Sequence, residues 1–167
     1  NQGVNDMPPA LYYLHDPKAP SPNRPARFGS AVIILYQGQV LLEKRKDSCH
    51  WGIVSGDIHD EETFAECAIR RTMEETGIHL DRNRLFPFRL FDDPSRIVCF
   101  PDGNIYRIVH VAFSITLQQM PQMKVGKTSY ELKFVDPMDL DDFDLSPVNA
   151  DILKAFFLDQ HILHTIR

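Results

Sequence analysis

Apolar and polar positions alternate in short runs over most of this chain, and one stretch breaks that alternation with a helical period. Ser30 to Tyr36 and Gln39 to Lys44 are β-rich runs on either side of the polar break Gln37-Gly38, the pattern of a hairpin. A short run from Trp51 to Val54 ends at Ser55-Gly56. Strand-like runs return at Leu85 to Phe91, Ile97 to Phe100, Ile105 to Leu117 and Glu131 to Val135, with Pro101-Asp102-Gly103-Asn104 as a turn. Between the two groups, Ala65, Ala68, Ile69, Thr72 and Thr76 fall at i, i+3, i+4, i+7 and i+11 and predict a helix from Glu61 to Thr76, closed by Gly77. Ser146-Pro147 reads as an N-cap followed by proline at the first helical position, opening a terminal helix over 147–161.

Six prolines in residues 1–26 and no sustained apolar period predict an extended N-terminal arm ahead of a domain over 27–167. The 167 residues are 43% apolar and 25% charged, enough for one ordinary core without disulfides or a structural metal. Three scattered cysteines match no metal-ligand spacing and fit a reducing compartment, so a cytoplasmic protein is the expectation. No apolar run approaches the ~20 residues of a membrane span. A net charge of -5 argues against broad attraction to a nucleic-acid backbone, so any phosphate recognition has to be local.

On a helical wheel, Arg70, Arg71, Glu74 and Glu75 share a face opposite the small apolar stripe. Adjacent carboxylates there suit a hard cation such as Mg²⁺, which prefers carboxylate oxygen and completes its shell with water and substrate phosphates. The plainer alternative is a solvated charged face with pairs such as Glu66 with Arg70. The surrounding residues favour the first reading. Gly56, Glu62 five residues on, Arg70 seven further, then Glu74-Glu75-Thr76-Gly77-Ile78 resemble the box of the Nudix hydrolase family, G-x5-E-x7-R-E-U-x-E-E-x-G-U, with U a bulky aliphatic.

The resemblance implies an α/β fold, an α/β/α sandwich around a mixed sheet, and Mg²⁺- or Mn²⁺-dependent hydrolysis of a nucleoside diphosphate linked to another moiety, of the ADP-ribose or nucleotide-sugar kind. It implies Glu74 and Glu75 as metal ligands, the Gly56 carbonyl as a further contact, and Glu62 and Arg70 as braces of the helix and its loop. Homodimers are common in the family. The departures are Ser55 for a glycine, Thr72 for an aliphatic, and Arg71 for a glutamate that binds metal or acts as base. A cation about 5 Å from a divalent ion is opposed by about 6 kcal/mol at an effective dielectric of about 20. Arg71 therefore has to swing out, pair with Glu74 or Glu75, or reach the substrate phosphates itself. The alternative function is a catalytically silent domain that binds a nucleotide ligand.

With position 71 changed, a base has to come from elsewhere, and Glu131, on a strand opposite Leu132 and Phe134, is the candidate. Arg89, Arg96 and Arg107 lie on or beside strands that edge a cleft and are candidate phosphate or ribose contacts, each equally explained by a solvated face. Phe91, Phe100 and Tyr106 are candidates for stacking a base, or simply core. His50 and His59 have no zinc-spaced partner, and His161 on the terminal helix is expected to face solvent.

Overall fold

The computed structural model describes residues 8–166, and side chains as far as residue 159. Nine strands form one mixed sheet: β1 (Leu11–Tyr13), β2 (Arg27–Tyr36), β3 (Gln39–Arg45), β4 (Trp51–Gly52), β5 (Val54–Asp57), β6 (Phe86–Phe91), β7 (Ile97–Cys99), β8 (Ile105–Thr116) and β9 (Ser129–Val135). Helix α1 (Phe64–Thr76) follows β5, and α2 (Pro147–Ile166) closes the chain. The order is β1-β7-β8-β2-β3-β4, with β5 on β2, β6 on β8 and β9 on β3. The long β2–β8 pair is parallel; its other neighbours are antiparallel.

Alternation along β2 divides the core. Val32 and Ile34 point toward α1, where Leu41, Val54, Ala68, Ile78 and Leu80 complete one apolar layer. Ala31 and Ile33 point the other way, onto Ile152, Leu153 and Phe156 of α2. The period of two in the strand thus commits it to a layer on each face, and the α/β/α sandwich follows.

Several boundaries differ from the expected ones for local reasons. The single run at Trp51–Val54 is two strands, broken at Ile53, whose N–H donates to Asn149 Oδ1 of α2 at 2.8 Å instead of to a sheet neighbour. Helix α1 begins at Phe64 because Thr63 is its N-cap in a reciprocal capping box with Glu66. That fixes Glu66 on the Thr63 backbone, so the expected Glu66–Arg70 pair does not form. Within the Pro-rich arm, residues 11–13 pair with β7, and Ala10 is buried against Val98 and Ile108; residues 1–7 and the His161 side chain lie outside the described residues.

The buried face of α1 comprises Cys67, Ala68, Thr72, Glu75 and Thr76, with Ala65 and Ile69 only half-buried. Glu75 was expected on the charged outer face. Three residues after Thr72 it lies about 60° from it around the helix, so a slight turn of the stripe carries it inward.

Gly29 in β2 lies against β5 so closely that a Cβ would meet the Gly56 carbonyl oxygen at 2.0 Å. Both neighbours are backbone and cannot rotate away. Gly29→Ala is expected to destabilise the fold by about 1–3 kcal/mol, read as a lowered urea midpoint at unchanged slope.

Candidate functional site

The loop from β5 into α1 is held by one ion pair. Arg70 Nε lies 2.5 Å from Glu62 Oε2 and its Nη2 2.9 Å from Glu62 Oε1, while Nη2 also donates to the Asp57 carbonyl at 2.9 Å. The His59 N–H donates to Glu62 Oε1 at 2.8 Å. Hydrogen bonding from Arg70, above all, holds the Glu62 carboxyl at about 2, against its ordinary 4.5. The structure thus places Glu62 and Arg70 as a clamp between the loop and the helix.

The next residue, Arg71, reaches back over the loop. Its Nη1 lies 3.0 Å from Glu74 Oε1, its Nη2 2.8 Å from Glu75 Oε2, and Nη2 donates to the Ser55 carbonyl at 3.4 Å. The contact to Glu75 is a close charge contact without the angle of a hydrogen bond. Gly56 makes this path possible, because a Cβ there would stand 2.0 Å from Arg71 Nε. Of the fates open to Arg71, the structure shows pairing with both glutamates.

Glu75 is 1% exposed, and a second guanidinium, Arg45 of β3, donates to its Oε1 at 3.2 Å. Arg45 also holds Asp47 at 3.1 Å and stands 3.7 Å from Glu43. Glu43 is equally buried and accepts from Ser129 Oγ at 2.6 Å. Burial first, then a hydrogen bond with Glu43 and its charge, push the Glu75 carboxyl well above the usual carboxylate range, while Arg71 and Arg45 pull it down. Two buried acids and two arginines therefore form one interlocked group. Sequence reasoning missed Glu43; the available signal was an acid at the inward phase of β3, two residues after the buried Leu41.

A cavity of about 330 Å³ opens beside this group. Arg27, Arg45, Arg70 and Arg71 line it beside Asp47 and Asp57, each guanidinium also paired with a carboxylate. Arg27 pairs with Asp57 at 2.8 Å and lies over the rings of Phe100 and Tyr106, 5.1 and 4.6 Å from their centres. His50, His59, His110 and Tyr12 also line the cavity, Tyr12 coming from the N-terminal arm. Burial, chiefly, raises the Tyr12 phenol to about 12, so it keeps its proton.

Other candidates lie elsewhere. Glu131 is exposed on β9 opposite Lys44 and is not part of the cavity wall. Arg89 pairs with Asp159 at 2.7 Å. Arg107 donates to the Asp92 carbonyl. Arg96 is wholly buried and bonded to the carbonyls of Phe91 and Ile108, which removes it from direct contact with a ligand. Phe91 belongs to the core on the α2 side.

The donors do not fit a divalent cation as arranged. Mg²⁺ takes oxygen ligands in a near-octahedral shell, with carboxylates open to it beside water and substrate phosphate, whereas Glu74 and Glu75 are bridged by a guanidinium. Among the described residues no three acidic, histidine or cysteine side chains come together as a metal-holding group.

Because Glu62 ionises at about 2 in the fold, its stabilisation is complete above its ordinary value of 4.5 and is lost as pH falls from there toward 2. Glu62→Gln is expected to lower stability by about 2 kcal/mol at pH 7 and to flatten the loss of melting temperature between pH 4.5 and 2, followed by calorimetry across that range.

The NUDIX domain family matches residues 26–156. A comparison with curated proteins finds no match. Among solved structures, a bifunctional NMN adenylyltransferase/ADP ribose pyrophosphatase from Francisella tularensis, complexed with AMP and a manganese ion, is 18% identical with a TM-score of 0.67. The likeness covers 83% of this chain but only 43% of that one, so this chain spans less than half of the bifunctional protein. The NUDIX domain of Shewanella oneidensis NrtR, complexed with ADP ribose, is 15% identical with a TM-score of 0.64, over 84% of this chain and 90% of that one. A MutT NUDIX hydrolase from Burkholderia pseudomallei is 22% identical with a TM-score of 0.64, over 79% and 98%. At these identities the structural likeness speaks to the fold alone; the family match over most of the length goes further, and together with the loop clamped by Glu62 and Arg70 it shows that the chain belongs to the Nudix family.

Proposed function

We propose that this Nudix domain binds a nucleoside diphosphate derivative, of the ADP-ribose or nucleotide-sugar kind, with guanidinium groups in place of a divalent ion. The observation that carries this reading is the Arg71 bridge between Glu74 and Glu75, which supplies the carboxylates with an internal cation. Glu74 is its looser anchor, with 47% of the side chain exposed against 2% for Glu75. An incoming phosphate can displace Glu74 into water and take Arg71 Nη1, the exchange of one anionic oxygen for another that bidentate guanidinium recognition favours. Arg45 and Arg27 stand on the same cavity wall to share the second phosphate.

A second reading is metal-dependent hydrolysis of the same diphosphate, the activity for which the family is named. It is favoured by the intact clamp of Glu62 on Arg70, which leaves the loop and helix poised as the family pattern implies. It requires Arg71 to leave both glutamates before a cation can enter.

Calorimetric titration with ADP-ribose, and with UDP-glucose as the sugar-nucleotide probe, separates the two. Binding that EDTA leaves unchanged, without product, is the expected result. Arg71→Glu is expected to weaken that binding at least tenfold and to gain a rise in melting temperature on adding Mg²⁺ or Mn²⁺ that is not expected of the natural chain. Turnover by the natural chain that EDTA abolishes would overturn the binding reading and establish hydrolysis.

A further inference from the structure

The part of the cavity away from α1 is walled by Tyr12, Val98, Ile108 and His110, from β1, β7 and β8. His110 is 6% exposed, and behind it stands Arg96, 0% exposed. Arg96 Nη1 donates to the carbonyls of Phe91 at 3.2 Å and Ile108 at 2.9 Å, and Nη2 lies 3.5 Å from His110 Nδ1. No carboxylate comes within ion-pair distance of Arg96 among the described residues; Asp151, Asp93 and Asp92 act on it only from further off.

This pairing fixes the imidazole. A guanidinium has N–H donors and no acceptor, so the nitrogen facing it has to offer a lone pair. A neutral imidazole with Nδ1 bare carries its proton on Nε2. Burial, and then the charges of Arg96 and Arg45, hold His110 down to about 3, so the ring stays neutral. Nε2 has no hydrogen-bond partner among the described residues, and the ring lines the cavity. The result is a single N–H donor with a cation behind it, in a wall otherwise made of aliphatic side chains and a phenol.

The sheet register locates this donor. His110 is opposite Gly29, and Gly29 is opposite Asp57, the residue after Gly56. Two steps of about 4.8 Å put the His110 backbone about 10 Å from the β5 end over which Arg71 lies. Phosphates gathered at Arg71 and Arg45 leave that distance to be covered by the group they carry. One N–H and one phenol hydroxyl between Val98 and Ile108 suit the hydroxyls and carbon edges of a sugar-like ring; a base would ask for a paired donor and acceptor edge.

We propose that His110, positioned by Arg96, determines specificity by donating its Nε2–H to an oxygen of the hydroxyl-bearing, sugar-like group on the far phosphate. The proposal rests on the diphosphate-binding reading above, and its test keeps the two apart. Nitrogen-15 NMR of the histidine rings in the ligand-free natural chain is expected to show His110 with Nδ1 bare and Nε2 protonated, and a shifted Nε2–H on adding ADP-ribose. Calorimetry with ADP-ribose and ADP is then compared for the natural chain, His110→Phe and His110→Gln. The Phe variant is expected to lose about tenfold or more in affinity for ADP-ribose and nothing for ADP, with part of the loss recovered by Gln, which keeps an N–H donor. In Arg96→Met the tautomer preference is expected to disappear; should that variant not fold, the spectrum of the natural chain carries the point. A proton on Nδ1, equal losses for both ligands, or no loss with ADP-ribose still bound overturns this proposal alone. Failure of both ligands to bind the natural chain overturns it together with the diphosphate reading.

Discussion

A guanidinium laid across two carboxylates organises this site. Arg71 pairs with Glu74 at the surface and lies in charge contact with Glu75 in the interior at the same time, and its path over Gly56 ties the end of β5 to α1. Removing the charge of Arg71 would leave Glu75 with one cation, Arg45, already shared with Asp47 and Glu43. An uncompensated buried carboxylate is among the more destabilising defects available to a domain. The arginine is therefore bound to the architecture as well as to any ligand.

The interior acid pair explains how so much charge is tolerated behind it. Glu43 and Glu75 face each other with Arg45, Arg71 and Ser129 around them. The charge of Glu43 adds to burial in raising the Glu75 carboxyl, which reduces the charge that the arginines must balance. A donor set in that state resembles the interior of a folded ion network more than a metal cage. The proposed reading follows from this state: a guanidinium of the chain stands between the two glutamates at the junction of loop and helix.

Much of this arrangement was legible in the sequence, and the limits are physical. Gly56, Glu62, Arg70 and the two glutamates stood out because their spacing is set by one loop and one helix, a local geometry that sequence records directly. The conflict at position 71 was equally visible, though which way Arg71 would turn depended on Gly56 leaving room. Glu75 was expected outward because a wheel cannot tell that the stripe is turned far enough to bury it. Glu43, Tyr12 and His110 were not singled out since each reaches the cavity through strand pairing between distant segments, which no local period encodes. Arg96 was picked for its charge, but the fold uses that charge from behind, through His110.

The division of labour among the arginines follows from how firmly each is held. Arg70 is fixed by Glu62 and the Asp57 carbonyl and also reaches the exposed Glu74 at 3.1 Å, so it shapes the loop while sharing one anchor with Arg71. Arg96 is buried with backbone carbonyls, so it acts through the field and the tautomer it imposes. Arg71 holds one anchor inside and one half in water. An arginine with an exposed partner can trade it for a phosphate at modest cost, since the displaced carboxylate is taken up by solvent. On the proposed reading, recognition is concentrated where the cavity opens, with the more rigid guanidiniums behind it holding the loop, the imidazole and the strand ends in register.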